Sequence, residues 1–242
     1  MRKKGSIYII IAMVTLGLLM LLQYNQPKEL NWFPSYVAQH KIPYGTKVLN
    51  DLAENLFSDI QQVTTSPYDF LNTNPDAKGT YFFVNSQVNF DPTEIEKLLE
   101  WTASGNTLFV ASDDFGEKML DTLGLETAGL YDALIADKGQ LHQLVHPTFR
   151  KESGYPIKKD TYTQYFSEID TNRTTVLGIV DHLNADGKIK TNHFNVISKP
   201  FGGGKIILST FPKAFTNYFI LKDNNKDYTA GLLSYLNEHG TI

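Results

Sequence analysis

The first 24 residues and the remainder of the chain follow different hydrophobic patterns. From Ile7 to Leu22 no charged side chain interrupts the apolar run, and Gln23 and Tyr24 extend it to about 18 residues. That is close to the lower limit for crossing a hydrocarbon core of about 30 Å as a helix, the one local structure that satisfies its own backbone amides in lipid. After residue 30 the runs are shorter and periodic. Val48, Leu49, Leu52, Ala53, Leu56 and Phe57 recur at helical spacing, with Asp51, Glu54 and Asn55 between them, so the pattern predicts an amphipathic helix over 43–57. Residues 60–65 read as a weakly patterned first strand. Thr80-Tyr-Phe-Phe-Val84 and Thr107-Leu-Phe-Val-Ala111 are continuous β-favouring runs of the kind buried on both faces.

Local stop and start signals place the helices between those strands. Asp91 followed by Pro92 and Glu94 predicts a capped helix whose inward stripe is Ile95, Leu98, Leu99 and Thr102, ending at Gly105. Asp114 and Glu117 predict the cap of a further helix carrying Phe115, Met119, Leu120 and Leu123. Residues 129–170 lose the helical period and predict short strands and loops. Residues 176–180 resume strand character. His193 to Ser198 and Ile206 to Thr210 flank Lys199-Pro-Phe-Gly-Gly-Gly204 as a hairpin, and 226–239 closes the chain as a helix stopped at Gly240. Strands alternating with helices at these lengths predict right-handed crossovers and a mostly parallel sheet. The chain divides into a basic flank (1–6), a transmembrane signal anchor (7–24), a linker (25–30) and one α/β domain (31–242).

Charge decides the expected orientation. Arg2, Lys3 and Lys4 precede the apolar run and no cation immediately follows it, which predicts a cytoplasmic N-terminus in a bacterial inner membrane and an exported domain. A cleaved signal peptide would have a shorter apolar core and a small-residue cleavage site, and no Ala-x-Ala pattern follows here, so the uncleaved anchor is favoured. The chain has no cysteine, which excludes disulfides, thiolate nucleophiles, thiolate metal sites and a lipidated N-terminus. With 42% hydrophobic and 20% charged residues the composition is that of a globular domain. A net charge of −4 argues against a nucleic-acid partner, which needs clustered cations.

Several segments carry a family resemblance. Trp32-Phe-Pro-Ser-Tyr36, Lys41-Ile-Pro-Tyr-Gly-Thr46, Leu98-Leu-Glu-Trp101 through Gly105-Asn106, Gly204-Lys-Ile-Ile-Leu-Ser-Thr-Phe-Pro212 and Phe215-Thr-Asn217 together resemble an uncharacterised bacterial family, domain of unknown function 4350. The resemblance implies a fold similar to class I glutamine amidotransferases, a flavodoxin-like three-layer sandwich. It also implies kinship with the exported domains of gliding-motility-type transporter auxiliary proteins. Longer members continue into a second membrane helix and a basic tail, so Ile242 is expected to be a truncation point or the end of a shorter variant.

Candidate chemistry is sparse. An amidotransferase needs a cysteine nucleophile, so that activity is excluded whatever the fold. Ser112 follows a strand, yet its neighbours Ala111 and Asp113 are not the glycines of a nucleophile elbow. Gly202-Gly203-Gly204-Lys205 lacks the Ser or Thr and the helix of a phosphate loop and reads as a hairpin turn. His142 and His146 are four apart but lack the glutamate of the zinc-protease motif, and they read as hydrogen-bonding or surface histidines, as do His182 and His193. No metal or cofactor is expected. The remaining candidates are Asn85 and Ser86 at the end of one parallel strand, Ser112 and Asp113 at the end of the next, and Asn217 after the last strand. In an open α/β sheet those positions border the usual ligand crevice. Asp114 is assigned to helix capping. The expected function is a non-catalytic, membrane-anchored binding or scaffolding module with an envelope or membrane protein partner. The alternative is a hydrolase of envelope glycans or peptides acting through Asp113.

Overall fold

A computed structural model of the chain describes residues 2–26, 29–130, 139–159, 162–184 and 187–236. It separates into two units, Met1–Asn31 and Trp32–Ile242. The first is helix α1 (Arg2–Tyr24), whose span Gly5–Tyr24 is long and apolar enough for a membrane anchor or a signal sequence.

The second unit contains helices α2 (Lys47–Leu56), α3 (Pro67–Thr73), α4 (Pro92–Ala103), α5 (Glu117–Leu123), α6 (Asn217–Leu221) and α7 (Lys226–Leu233), with a 3-10 turn at Pro212–Phe215. Its strands are β1 (Thr80–Gln87), β2 (Thr107–Asp114), β3 (Glu126–Leu130), β4 (Gln140–Leu144), β5 (Tyr155–Ile157), β6 (Thr163–Glu168), β7 (Thr175–His182), β8 (His193–Phe201) and β9 (Gly204–Ser209). They form one sheet in the order β1-β2-β9-β8-β7-β4-β5, with β6 pairing β8 and β3 pairing β6.

This sheet overturns the expected flavodoxin-like, mostly parallel sandwich. Among the described residues only β1–β2 and β2–β9 are parallel; β8–β9, β7–β8, β4–β7, β4–β5, β6–β8 and β3–β6 are antiparallel. The physical cause lies between α5 and the 3-10 turn. Parallel neighbours need a long crossover, usually helical, and the described residues there contain no helix, whereas antiparallel neighbours need only short turns. The strand–helix alternation that predicts a parallel sheet therefore holds only for the first two strands.

Alternation along each strand gives the sheet a core on both faces. Phe109, Ala111, Ile207 and Phe82 pack with Phe215, Phe219, Tyr228 and Leu232. Leu108, Val110, Ile206 and Leu208 pack with Leu98, Ile95, Met119 and Phe166. The helix signals mostly hold. Asp91 accepts from the amides of Thr93 and Glu94 at 2.7 and 2.9 Å, while Glu94 returns a bond to the Asp91 amide. Gly105 follows α4 with φ 113°. The Gly202–Gly204 turn joins β8 and β9, and a Cβ on Gly204 would collide with carbonyls of Thr102 and Asn106 at the end of α4.

Four expectations shift. Residues 60–65 form no strand; the Gln62 side chain bonds Asn50 at 3.0 Å. The helix expected over 43–57 begins at Lys47, because Pro43–Gly45 belongs to a turn in which Gly45 N–H donates to Ile42. Asp114 is the last residue of β2 rather than a helix cap. Its carboxylate accepts from the Gly116 amide at 2.9 Å, and Gly116 immediately precedes α5. The last helix is α7, ending at Leu233; Gly240 and residues 237–239 lie outside the described residues.

Candidate functional site

β1, β2 and β9 are adjacent parallel strands, and at their carboxyl ends the side chains of Asn85, Ser112 and Asp113 are already occupied. Asn85 pairs with Ser112 in the β1–β2 register, so Asn85, Ser86 and Ser112 are neighbours. Ser112 is fully buried. Its hydroxyl donates to the Asp114 carbonyl, with the Ser86 carbonyl 3.3 Å away, and accepts the Asp114 amide at 3.1 Å. That local turn ends the strand and leaves the hydroxyl no base beside it. The exposed Asn85 turns its carbonyl oxygen onto the Ser86 amide at 2.8 Å.

Asp113 faces Lys213, which the sequence reasoning overlooked. Lys213 Nζ lies 3.3 Å from Asp113 Oδ1, and the two side chains are 10% and 21% exposed. The 3-10 turn after β9 brings the lysine in, and its backbone carbonyl also accepts the Thr216 hydroxyl at 2.7 Å. The carboxylate thus sits in a largely desolvated ion pair, a state that holds it as a counter-ion rather than as a free base. Lys213 stands in Phe211-Pro-Lys-Ala-Phe215, and nothing in local periodicity marks it as Asp113's partner across a separation of 100 residues.

Asn217 does not join this group. Its Oδ1 accepts from the Val48 amide at 2.8 Å, and its Nδ2 donates to the carbonyls of His40 at 2.9 Å and Ile42 at 2.8 Å. One buried amide therefore fastens the 40–48 segment to the start of α6. The bonds Asn217 N–H to Gly45 and Tyr218 N–H to Pro43 continue the seam. This accounts for two of the resemblance segments, Lys41–Thr46 and Phe215–Asn217, as halves of one structural joint.

The histidines separate as well. His142 lies on β4, fully buried, stacked on Phe211 with ring centroids 3.5 Å apart. It bonds Gln140 Oε1 at 3.0 Å and Asn195 Nδ2 at 2.9 Å, an arrangement suited to the neutral ring protonated on Nε2. Burial, and after it the charge of Lys213, holds its pKa well below the ordinary value. His146 is exposed beyond the strand end and takes the Thr148 amide at 3.3 Å. Among the described residues no group of three or more His, Asp or Glu is placed to hold a metal ion.

A large cavity lies elsewhere, along β1. It encloses about 950 Å³ and is bordered by α2, residues 57–65, residues 73–78, Trp101 and the β1 residues Thr80 to Val84. Its wall is mixed: Phe57, Val63, Phe82 and Val84 are apolar, and Asp59, Gln61, Asp76 and Lys78 also border it. Burial, and secondarily the charge of Glu94, pushes the Tyr81 phenol up to about 12, so that group is neutral at physiological pH. Size and lining are those of a binding pocket, and no nucleophile–base pair stands in it. The sequence signal was present but ambiguous, because an uninterrupted apolar run reads the same for a central strand and for an unguarded edge.

Residues 38–233 match a family described as Domain of unknown function (DUF4350). The chain belongs to that family. No curated protein matches this DUF4350 sequence. Among solved structures, the mmIFT52 N-terminal domain shares its fold with a TM-score of 0.50 at 14% identity, covering 78% of this chain and 89% of that one. Gan42B, a GH42 beta-galactosidase from G. stearothermophilus, gives 0.43 at 14% identity and covers 83% of this chain, which spans only 27% of the galactosidase. The cytoplasmic protein STM3548 from Salmonella typhimurium gives 0.40 at 11% identity over 72% of this chain and 76% of that one. The last two resemblances are too loose to bear on the function of the DUF4350 domain.

Proposed function

We propose that this DUF4350 protein is a non-catalytic, membrane-tethered binding or scaffolding module of the bacterial envelope. Helix α1 serves as an uncleaved anchor in the inner membrane, with Arg2, Lys3 and Lys4 holding its N-terminus in the cytoplasm and the α/β domain exported. The domain docks an envelope or membrane protein, within a transporter-like assembly of the kind the sequence resemblance suggests. The observation that carries this reading is the contrast between the two candidate places. Ser112, Asp113 and Asn217 are engaged in holding the fold, while the large cavity of mixed lining holds no nucleophile–base pair.

The test is purification of the anchored protein from membranes after mild in vivo cross-linking, with identification of what accompanies it. A reproducible envelope partner, lost when residues 5–24 are replaced by a cleavable signal peptide, supports the module. Purification of the protein alone, together with cleavage of an envelope glycan or peptide that Asp113→Asn abolishes, overturns it in favour of a hydrolase.

A further inference from the structure

Strand β1 is the outermost strand of the sheet, with β2 as its one sheet partner among the described residues. Its backbone direction can be fixed from one end. Gly79 accepts the Thr107 amide on its carbonyl at 2.9 Å and donates its own amide to Asn106 at 2.9 Å, so both groups of residue 79 point toward β2. In a parallel strand the N–H and C=O of one residue share a side, and sides alternate along the chain. Tyr81 and Phe83 therefore bond β2, and Thr80, Phe82 and Val84 turn their amides and carbonyls to the free edge. Among the described residues these six groups have no backbone or side-chain partner, and they border the 950 Å³ cavity.

A second observation points the same way. The Thr80 hydroxyl is buried, lines this cavity and has no hydrogen-bond partner. A buried unpaired hydroxyl is costly, and a ligand group in the cavity would remove the cost. Natural edges are usually blunted by a charge, a proline or a bulge, and Thr80-Tyr-Phe-Phe-Val84 carries none of these.

We infer that the open edge of β1 takes an extended peptide segment of a partner protein, added as one more strand between Val84 and Thr80 on one side and residues 57–65 on the other. This inference rests on the binding-module reading and names its docking site. The edge dictates a strand, because only an extended backbone presents donors and acceptors at the matching spacing of about 3.3 Å per residue. The span from Thr80 to Val84 accommodates about five residues, roughly 17 Å of strand. The guest's side chains that meet Phe57, Val63, Phe82, Val84 and Trp101 are apolar and β-favouring, while Asp59, Asp76 and Lys78 on the same border admit polar ones. The chain's own segment 57–65 is the far wall of the cavity rather than its occupant. Its Gln62 side chain bonds Asn50, on α2, and among the described residues it makes no backbone bond to β1.

The full chain, purified in detergent, is panned against a phage-displayed library of random heptapeptides, and enriched sequences are synthesised as probes. Peptides with alternating Val, Ile and Thr are expected. Bound peptide should slow deuterium exchange at the Phe82 and Val84 amides while leaving Tyr81 and Phe83 unchanged. Val84→Pro removes an outward amide without touching the β2 ladder and should weaken binding by about fivefold or more. Thr80→Val, a milder change, should weaken it less, and circular dichroism checks that both variants are folded. Absence of enriched peptides, equal binding by Val84→Pro, or protection of Phe82 and Val84 without peptide overturns the inference. A membrane partner that co-purifies equally with wild type and Val84→Pro also overturns it, while leaving the module reading standing.

Discussion

Two regions at β1 and its surroundings differ in one respect that decides what each can do. At the carboxyl ends of β1 and β2 the side chains are polar and close to one another, yet each has a partner inside the protein: Ser112 in a turn, Asp113 on Lys213, Asn85 on its own backbone. Along the outer edge of β1 the side chains are apolar and the backbone is unpaired. Polarity alone is a poor guide to a site. What matters is whether the hydrogen-bonding capacity is spent within the fold or left over, and here the surplus lies on main-chain groups that no motif search registers.

The contrast can be broken most forcefully at Asn217, the candidate with the most internal bonds. Asn217→Ala leaves the Val48 amide and the carbonyls of His40 and Ile42 without their partner and should cost about 3 kcal/mol of folding stability. Denaturant unfolding of the variant measures this directly. A loss under 1 kcal/mol coupled with lost partner binding would return Asn217 to the ligand-contacting side of the comparison.

Asp113 offers the next largest effect. Asp113→Asn leaves the Lys213 ammonium largely buried without its counter-charge and should destabilise by about 2 kcal/mol, less than for a fully buried pair because Asp113 keeps some exposure to water. Adding Lys213→Met should restore most of that loss, and a double-mutant cycle of thermal melts gives the coupling. A catalytic carboxylate held in place at a stability cost would behave oppositely, with Asp113→Asn neutral or stabilising.

How much of this was legible beforehand follows the range of the interactions. Asp91-Pro92-Thr-Glu94 specified its helix because a capping box spans four residues. The Gly202–Gly204 turn and the strands around it were legible for the same reason. Sheet direction was not, since it depends on what connects strands after β3, where the absence of a helical period was visible but its topological consequence was not. Residues 60–65 have acceptable strand composition and yet do not pair with the edge of β1, which composition cannot reveal. Among site residues, Asn85, Ser86, Ser112 and Asp113 lie within β1 and β2, which each run three residues past the expected end. Local pattern does not show that Lys213, 100 residues away, pairs with Asp113, or that Asn217 closes onto residues 40–48.

The buried histidine extends the comparison to pH. His142 has a folded-state pKa well below its ordinary 6.5, caused first by burial and then by Lys213. The unfolded chain binds a proton near pH 6.5 that the folded chain refuses, so stability is unaffected above that pH and falls as pH drops below it. The slope approaches about 1.4 kcal/mol per pH unit until the folded pKa is reached. Unfolding free energies of wild type and His142→Gln, compared between pH 7 and pH 5, should diverge in their acid limb, with the variant flatter. Parallel profiles would mean that His142 is protonated in the fold, and a cationic ring beside Lys213 would demand an anion nearby.

The smallest effect is the one that most sharpens the contrast, because it has the unusual sign. Thr80→Val replaces the buried, unpartnered hydroxyl with a methyl of nearly the same size. In the peptide-free protein this relieves an unsatisfied polar group, so stability should rise, by about 0.5–1 kcal/mol. At the Ser112 hydroxyl, whose bonds are all internal, the matching change Ser112→Ala should instead lower stability. Thermal melts of the two variants side by side therefore test the distinction between capacity left over and capacity spent. If Thr80→Val is destabilised as Ser112→Ala is, the Thr80 hydroxyl has a partner within the fold, and the edge of β1 loses its claim to be the open side of the molecule.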